Sequence, residues 1–353
     1  MLLKPLLCLS LLSLLGTCAT ERYSTKIKNL QSSITLIDSA KVIKYASTIT
    51  SEELKTHLYT FASDKFEGRR VGTKGQKLAA GFLKDYYTNL GVPSPFGGDN
   101  YYQTVPQSFF TKEDINASEN VLAYIEGSEA PNELIIISAH LDHLGIDENG
   151  NINYGADDDG SGTVAIMEIA EAFLKAKQEG NGPKRSLLFL HLTAEEIGKQ
   201  GSEYYTNNPI FPLENTIANL NIDMIGRVDD IHKDNSDYVY LIGSDRLSKE
   251  LHYTSEKVNN TYFKIDLDYR YNSENDRNHY YTRSDHYNFA KHNIPVIFYF
   301  NGEHDDYHKH TDTPDKISYN LLKKRTQLIF ATAWQLANQP HRLATDKMHE
   351  LLK

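Results

Sequence analysis

Glu195 and Glu196 are adjacent carboxylates in the stretch Thr193-Ala194-Glu195-Glu196-Ile197-Gly198. They follow directly on the apolar run Ser186-Leu187-Leu188-Phe189-Leu190-His191-Leu192, whose length and branching predict a buried strand. In open α/β sheets ligands gather in the crevice beyond the carboxyl ends of the strands. Neighbouring residues of an extended chain point to opposite sides. One carboxylate of the pair can then hold a metal ion while the other faces the water that the ion activates. Taken alone, an acidic pair is more often a solvated loop, so the rest of the chain has to decide.

Other apolar runs end in the same way. The run at 134–139 leads into His140-Leu141-Asp142-His143. The following loop holds Gly155-Ala156-Asp157-Asp158-Asp159-Gly160-Ser161-Gly162. The run at 218–222 leads into Asp223-Met224-Ile225-Gly226-Arg227, and the run at 295–300 leads to Asp305-Asp306-Tyr307-His308. Each segment by itself reads as a surface pair, a turn or a hydrophilic loop. Together they are the polar ends of successive buried strands. Imidazole and carboxylate donors without sulfur suit catalytic Zn²⁺, which keeps an open position for water.

The elements that must position these groups alternate. A helix starts at Ser51-Glu52-Glu53-Leu54, and 76–90 has helical periodicity ending at Gly91. Strands are predicted at 121–125, 134–139, 186–192, 218–225, 238–242 and 295–300. Helices are predicted from Gly160-Ser161-Gly162 to about 177, over 246–259 and over 319–339. This alternation predicts an α/β domain with a mostly parallel central sheet and helices on both faces. The simplest division is a signal segment at 1–18, a polar tether at 19–50, one catalytic domain at 51–340 and a tail at 341–353. The Tyr-rich stretch 228–283 is the candidate lid.

Composition narrows the class. The chain has 353 residues, 40% hydrophobic and 24% charged, with a net charge of −10. Such an acidic chain lacks the basic face that nucleic acid requires. Residues 1–18 carry Lys4, a short apolar core and small residues before Cys18, which predicts export. Leu15-Gly16-Thr17-Cys18 also resembles a lipoprotein cleavage box, so the reading is either plain secretion or membrane attachment through a lipid on Cys18. The only cysteines are Cys8 and Cys18, so a metal site in the mature domain must use His and carboxylates.

These motifs, in this order, resemble the co-catalytic di-zinc aminopeptidases of metallopeptidase family twenty-eight, of the aminopeptidase S and aminopeptidase Y type. The resemblance runs from Phe66-Glu67-Gly68-Arg69 to Asp312-Thr313-Pro314-Asp315-Lys316-Ile317. It implies the zinc exopeptidase fold, two Zn²⁺ per chain and peptide substrates. It implies that His140, Asp158, Glu196, Asp223 and His308 are the metal ligands, with Asp158 bridging both ions. His308 is preferred to His310 because the family's ligand lies four residues before the Asp-Thr pair. The resemblance makes Glu195 the general base and Asp142 the partner that orients His140. Tyr307 sits where some members carry a Tyr that stabilises the oxyanion. Arg283-Ser284-Asp285-His286 matches a segment near the substrate cleft, without assigned roles. Relatives that cleave acidic C-terminal residues need a basic pocket, for which Arg227, Arg270 and Arg283 are the candidates. Two other readings compete: a glutaminyl cyclase, a one-zinc acyltransferase on the same fold, and a non-catalytic binding homologue.

Overall fold

The computed structural model describes residues 22–112 and 114–346. The segment 1–18, read from sequence as a signal, and both cysteines lie outside the described residues. Among the described residues, no helix is long and apolar enough to cross a membrane.

In chain order the helices are α1 (Tyr23–Ser33), α2 (Ser39–Ala46), α3 (Ser51–Phe61), α4 (Lys74–Leu90), α5 (Gly162–Gln178), α6 (Gln200–Asn207), α7 (Lys249–Tyr262), α8 (His286–Ala290) and α9 (Tyr319–Asn338). The strands are β1 (Tyr102–Val105), β2 (Ser118–Ile125), β3 (Ala130–His140), β4 (Gly145–Ile146), β5 (Ile152–Asn153), β6 (Arg185–Leu192), β7 (Thr216–Ile222), β8 (Tyr238–Ile242), β9 (Asp266–Asp268) and β10 (Val296–Phe300). Local signals set the limits. Thr50 caps α3 by accepting a hydrogen bond from the Glu53 amide, and it donates its hydroxyl to the Glu53 carboxylate. Gly91, at φ 83°, ends α4 in the left-handed conformation.

Eight strands form one mixed sheet in the order β1-β2-β6-β3-β7-β10-β8-β9. The four central strands β6, β3, β7 and β10 are parallel neighbours. Antiparallel pairs lie on both flanks, β1–β2–β6 on one and β10–β8 on the other. The mostly parallel sheet read from sequence therefore describes the centre, and the whole is mixed. β3 and β6 are apolar in both directions because both faces of the sheet are covered. Ile135, Ile137, Leu187 and Phe189 pack into the core with α2, α3, α4, α5, α7 and α9. Leu134, Ile136, Leu188 and Leu190 pack into the core on the opposite face, with Tyr205 of α6 and Phe289 of α8. The central strands end together, with His140 opposite Leu192 and Ser138 opposite Asn221.

Three boundaries differ from the sequence reading. Residues 39–49 are part of the domain rather than a tether. Val42, Tyr45, Ala46 and Ile49 are buried, and Tyr45 stacks on Trp334 with ring centroids 5.5 Å apart. Lys41, Lys44 and Ser47 stand among these residues, so an apolar stripe only two turns long is lost in a polar average. The segment 228–283 is not a lid as a whole, because it contains β8, α7 and β9, with β8 paired to β10 in the main sheet. The described part of the tail, 341–346, packs as well. Leu343 is buried, and Asp346 donates its amide to the Leu247 carbonyl at 2.8 Å. The first correction can be tested directly. Tyr45→Ala should lower unfolding stability by about 3 kcal/mol or more, the range for a large buried aromatic, measured by urea titration. A tether would give no change.

Candidate metal centre

The carboxyl ends of β6, β3, β7 and β10 converge on one acidic hollow. His140 closes β3, Asp223 follows β7 directly, Glu195 and Glu196 follow β6, and His308 lies in the loop after β10. Asp158 enters from the loop that starts α5; its peptide bond to Asp159 is cis. Three residues of this rim adopt left-handed backbone without being glycine: Ala194 at φ 60°, Met224 at 61° and His308 at 57°. Such conformations cost about 1–3 kcal/mol each and gather at functional sites.

Asp158 stands between two groups. Its Oδ1 is 3.2 Å from His140 Nε2, which is 3.6 Å from Asp223 Oδ1. Its Oδ2 is 3.1 Å from His308 Nε2, which is 3.3 Å from Glu196 Oε2. Donors bound at ~2.1 Å to one tetrahedral ion lie roughly 3.4 Å apart. All four separations are near that value. His140, Asp158 and Glu196, and likewise His140, Asp159 and Asp223, also each converge closely enough to hold an ion. Asp158 Oδ2 is buried without a hydrogen-bond partner, a state that a cation would relieve. The donor set, two imidazoles and three carboxylates without sulfur, fits Zn²⁺.

Electrostatics lead to the same conclusion. Burial alone would push the His308 imidazole down, but its contacts with Asp158 and Glu196 hold its pKa up at about 10. Burial also works against a charged His140, and Asp223 and Asp158 raise it well above its ordinary value. Glu195 is pushed well above the carboxylate range, first by burial and then by Asp285, Asp223 and Glu196. Cations beside it would reverse that shift.

Of the three consecutive aspartates, only Asp158 stands between the two groups. Asp159 Oδ2 accepts the amide of His140 at 3.1 Å, while Oδ1 accepts the amides of Gly162 at 2.9 Å and Met224 at 3.1 Å. One carboxylate thus ties the end of β3, the start of α5 and the loop after β7. Asp157 accepts from the Gly226 amide at 2.6 Å and the Asn301 side chain at 3.0 Å. Asp312 in turn accepts the amides of Asp157 and Asp158 at 2.9 and 3.2 Å.

Arg69 lies beneath the hollow, 1% exposed. It donates to the carbonyls of Leu141 at 2.9 Å, Tyr154 at 2.7 Å and Gly155 at 2.9 Å. It therefore joins the segments that carry His140 and Asp158. Burial lowers its pKa to about 10, opposed by Asp158 and Asp142.

Asp142 differs in detail from its sequence assignment. His140 Nδ1 faces the main-chain carbonyl of Asp142 at 3.0 Å, and the carboxylate Oδ1 is farther away at 3.9 Å. That Oδ1 accepts the Glu195 amide at 3.1 Å. The Asp142 main chain thus orients the ring, and its side chain places Glu195. Burial raises the Asp142 carboxyl to about 7 against the pull of His140.

Sequence reasoning missed several supports. Asn219, Ser138, Asn221 and Ser284 form a buried ladder across β7 and β3, with contacts of 2.8, 2.7 and 2.9 Å. It ends where Ser284 donates to Asp223 Oδ2 at 2.6 Å. The only signal was polar residues recurring at alternate positions of an apolar strand. The cleft over the centre is walled by Met224, Tyr280, Phe298 and Phe300, with Arg283, Glu303 and Tyr307 at its rim. Tyr307 stacks on His308 at 3.9 Å between ring centroids, and Arg283 donates to its hydroxyl at 3.3 Å. The three candidate arginines are all paired: Arg283 with Glu303 at 2.9 Å, Arg227 with Asp306 at 2.9 Å and Arg270 with Asp268 at 2.7 Å.

The profile of the peptidase family M28 matches residues 120–333, more than half of the chain. The chain belongs to peptidase family M28. Within it, leupeptin-inactivating enzyme 1 of Streptomyces exfoliatus is 30% identical over 172 residues, which are 48% of this chain and 34% of that protein. The probable glutamate carboxypeptidase LAMP1 of Arabidopsis thaliana is 33% identical over 117 residues, 33% of this chain and 16% of that protein. The matches thus span about a third or less of these relatives' own lengths. LapB from Legionella pneumophila superposes with a TM-score of 0.69 at 20% identity, covering 92% of this chain and 84% of that one. BSAP, a zinc aminopeptidase from Bacillus subtilis, superposes at 0.63 with 14% identity, covering 82% and 96%. At these identities the two structures speak for the M28 fold alone.

Proposed function

We propose that this M28 chain is an exported zinc exopeptidase with two Zn²⁺ per chain, acting as an aminopeptidase on peptides. The observation that carries the reading is Asp158, whose two oxygens each face a separate imidazole with its own second carboxylate. His140 and Asp223 would hold one ion, His308 and Glu196 the other, and Asp158 both. Bound there, zinc supplies a water acidic enough to attack at neutral pH and an electrophilic anchor for the scissile carbonyl.

The protein's own groups do the rest. Glu195, fixed through its amide on Asp142, accepts the proton of the attacking water and returns it to the leaving amine. Tyr307 accepts a hydrogen bond from Arg283, which leaves its hydroxyl proton free to meet the developing oxyanion. The apolar wall of Met224, Phe298 and Phe300 takes the substrate's terminal side chain. Export rests on the leader at 1–18, with lipidation of Cys18 as its variant.

The M28 family match supports a peptidase over the cyclase, and the second imidazole–carboxylate pair has no task in a one-zinc acyltransferase. A non-catalytic homologue has no need of an intact base and ligand set. The paired state of Arg227, Arg270 and Arg283 argues against a cleft built for acidic C-terminal residues. The test is zinc content by atomic emission together with a panel of free and N-acetylated peptides. The expected result is two zinc ions and cleavage of free peptides only. Equal cleavage of acetylated peptides would exclude the aminopeptidase, and cyclisation of N-terminal glutamine without hydrolysis would establish the alternative.

A further inference from the structure

His143 belongs to the wall of the centre, and none of the roles above uses it. Its ring is buried, and Nδ1 lies 2.8 Å from Glu196 Oε1. Two ligands of one tetrahedral ion would be roughly 3.4 Å apart, so this is a hydrogen bond to a carboxylate and His143 is not another ligand. The same nitrogen is 3.8 Å from Asp158 Oδ2. Nε2 is buried without a partner, so the ring makes its one polar contact through Nδ1. The seat for the ring is built. The His143 amide donates to the Arg69 carbonyl at 3.3 Å. Gly155, at φ 53°, has no Cβ, and one placed there would stand 2.5 Å from His143 Cγ. His308 meets the ring edge-on, with centroids 6.0 Å apart.

We infer that His143 is a positioning residue for one half of the centre only. By engaging Oε1 of Glu196, it leaves Oε2 alone to face the ion beside His308. The other half has separate supports: the Asp142 carbonyl for His140 and Ser284 for Asp223. Only Asp158 is common to both halves, so removing His143 weakens one ion and spares the other. The inference rests on the two-ion reading above.

The test is a zinc titration of the chelator-stripped full chain against a competing chromophoric chelator, with no substrate present. Wild type should take up two ions. His143→Ala should keep one at wild-type affinity and bind the second about 10–100-fold more weakly, the usual effect of losing such a partner. His143→Asn, whose amide nitrogen sits as many bonds from Cβ as Nδ1 does, should recover most of the loss. His143→Leu fills the space without a donor and takes the place of the alanine variant if that fails to fold, which circular dichroism of the metal-free protein will show. Equal weakening of both ions, no weakening, or an asparagine variant no better than leucine would each overturn the inference. A wild-type chain that binds fewer than two ions would refute the reading of the centre itself.

Discussion

Glu195→Gln should leave two zinc ions bound and the unfolding temperature unchanged, yet reduce kcat by about 10³–10⁴-fold, within the range for a positioned general base. The side chain keeps its size and its place, because the fixed point is the amide held by Asp142 at 3.1 Å. None of the close imidazole–carboxylate contacts involves Glu195, so the ions have no reason to leave. The amide cannot take a proton from water. An interaction used only in the transition state lowers kcat and kcat/KM together, so KM should change little. Burial, Asp285 and Asp223 push the Glu195 carboxyl well above the carboxylate range, and cations beside it would reverse that shift. Steady-state kinetics with zinc analysis on the same sample make the check. Full activity in a zinc-replete variant would remove Glu195 from the mechanism.

That Glu195 could be singled out at all reflects where chemistry sits in this fold. Buried parallel strands are apolar on both faces, so a carboxylate or imidazole just past their ends stands out in sequence. His140, Asp223 and the Glu195–Glu196 pair were legible for that reason. Asp158 was harder, since three aspartates share its loop and only the family resemblance chose the middle one. In three dimensions Asp159 is taken up by backbone amides, and Asp157 by the Gly226 amide and the Asn301 side chain. What sequence could not show is support from a distance. Ser284 lies 61 positions from Asp223, and Arg69 lies 72 from the carbonyl it binds at Leu141. No periodicity links such pairs. Asp142 shows a subtler limit. The family resemblance implied that the Asp142 side chain orients His140, whereas its carbonyl faces that ring and its carboxylate accepts the Glu195 amide. Helix α2 was missed because its apolar residues are few and its partner Trp334 is almost 300 residues away.

Asp158→Asn should be the most damaging conservative change in the centre. Zinc should fall from two ions per chain to one or none, and hydrolysis should fall to background. The asparagine retains one carbonyl oxygen, which can serve one ion at most, whereas the carboxylate presents an oxygen to each imidazole at 3.2 and 3.1 Å. A ligand that binds only the folded state stabilises it by about 4.1 kcal/mol per site at a thousandfold excess over Kd. The wild-type protein should therefore unfold at a markedly higher temperature with zinc than with a chelator, and the variant should lose at least half of that difference. The backbone around Asp158 gives no competing explanation, because Asp312 holds it through the amides of Asp157 and Asp158, which the substitution leaves in place. Calorimetric unfolding with and without zinc reads the effect independently of any substrate. If the variant kept two ions at wild-type affinity, Asp158 would not be the bridge, and the two imidazole–carboxylate groups would have to be separate sites.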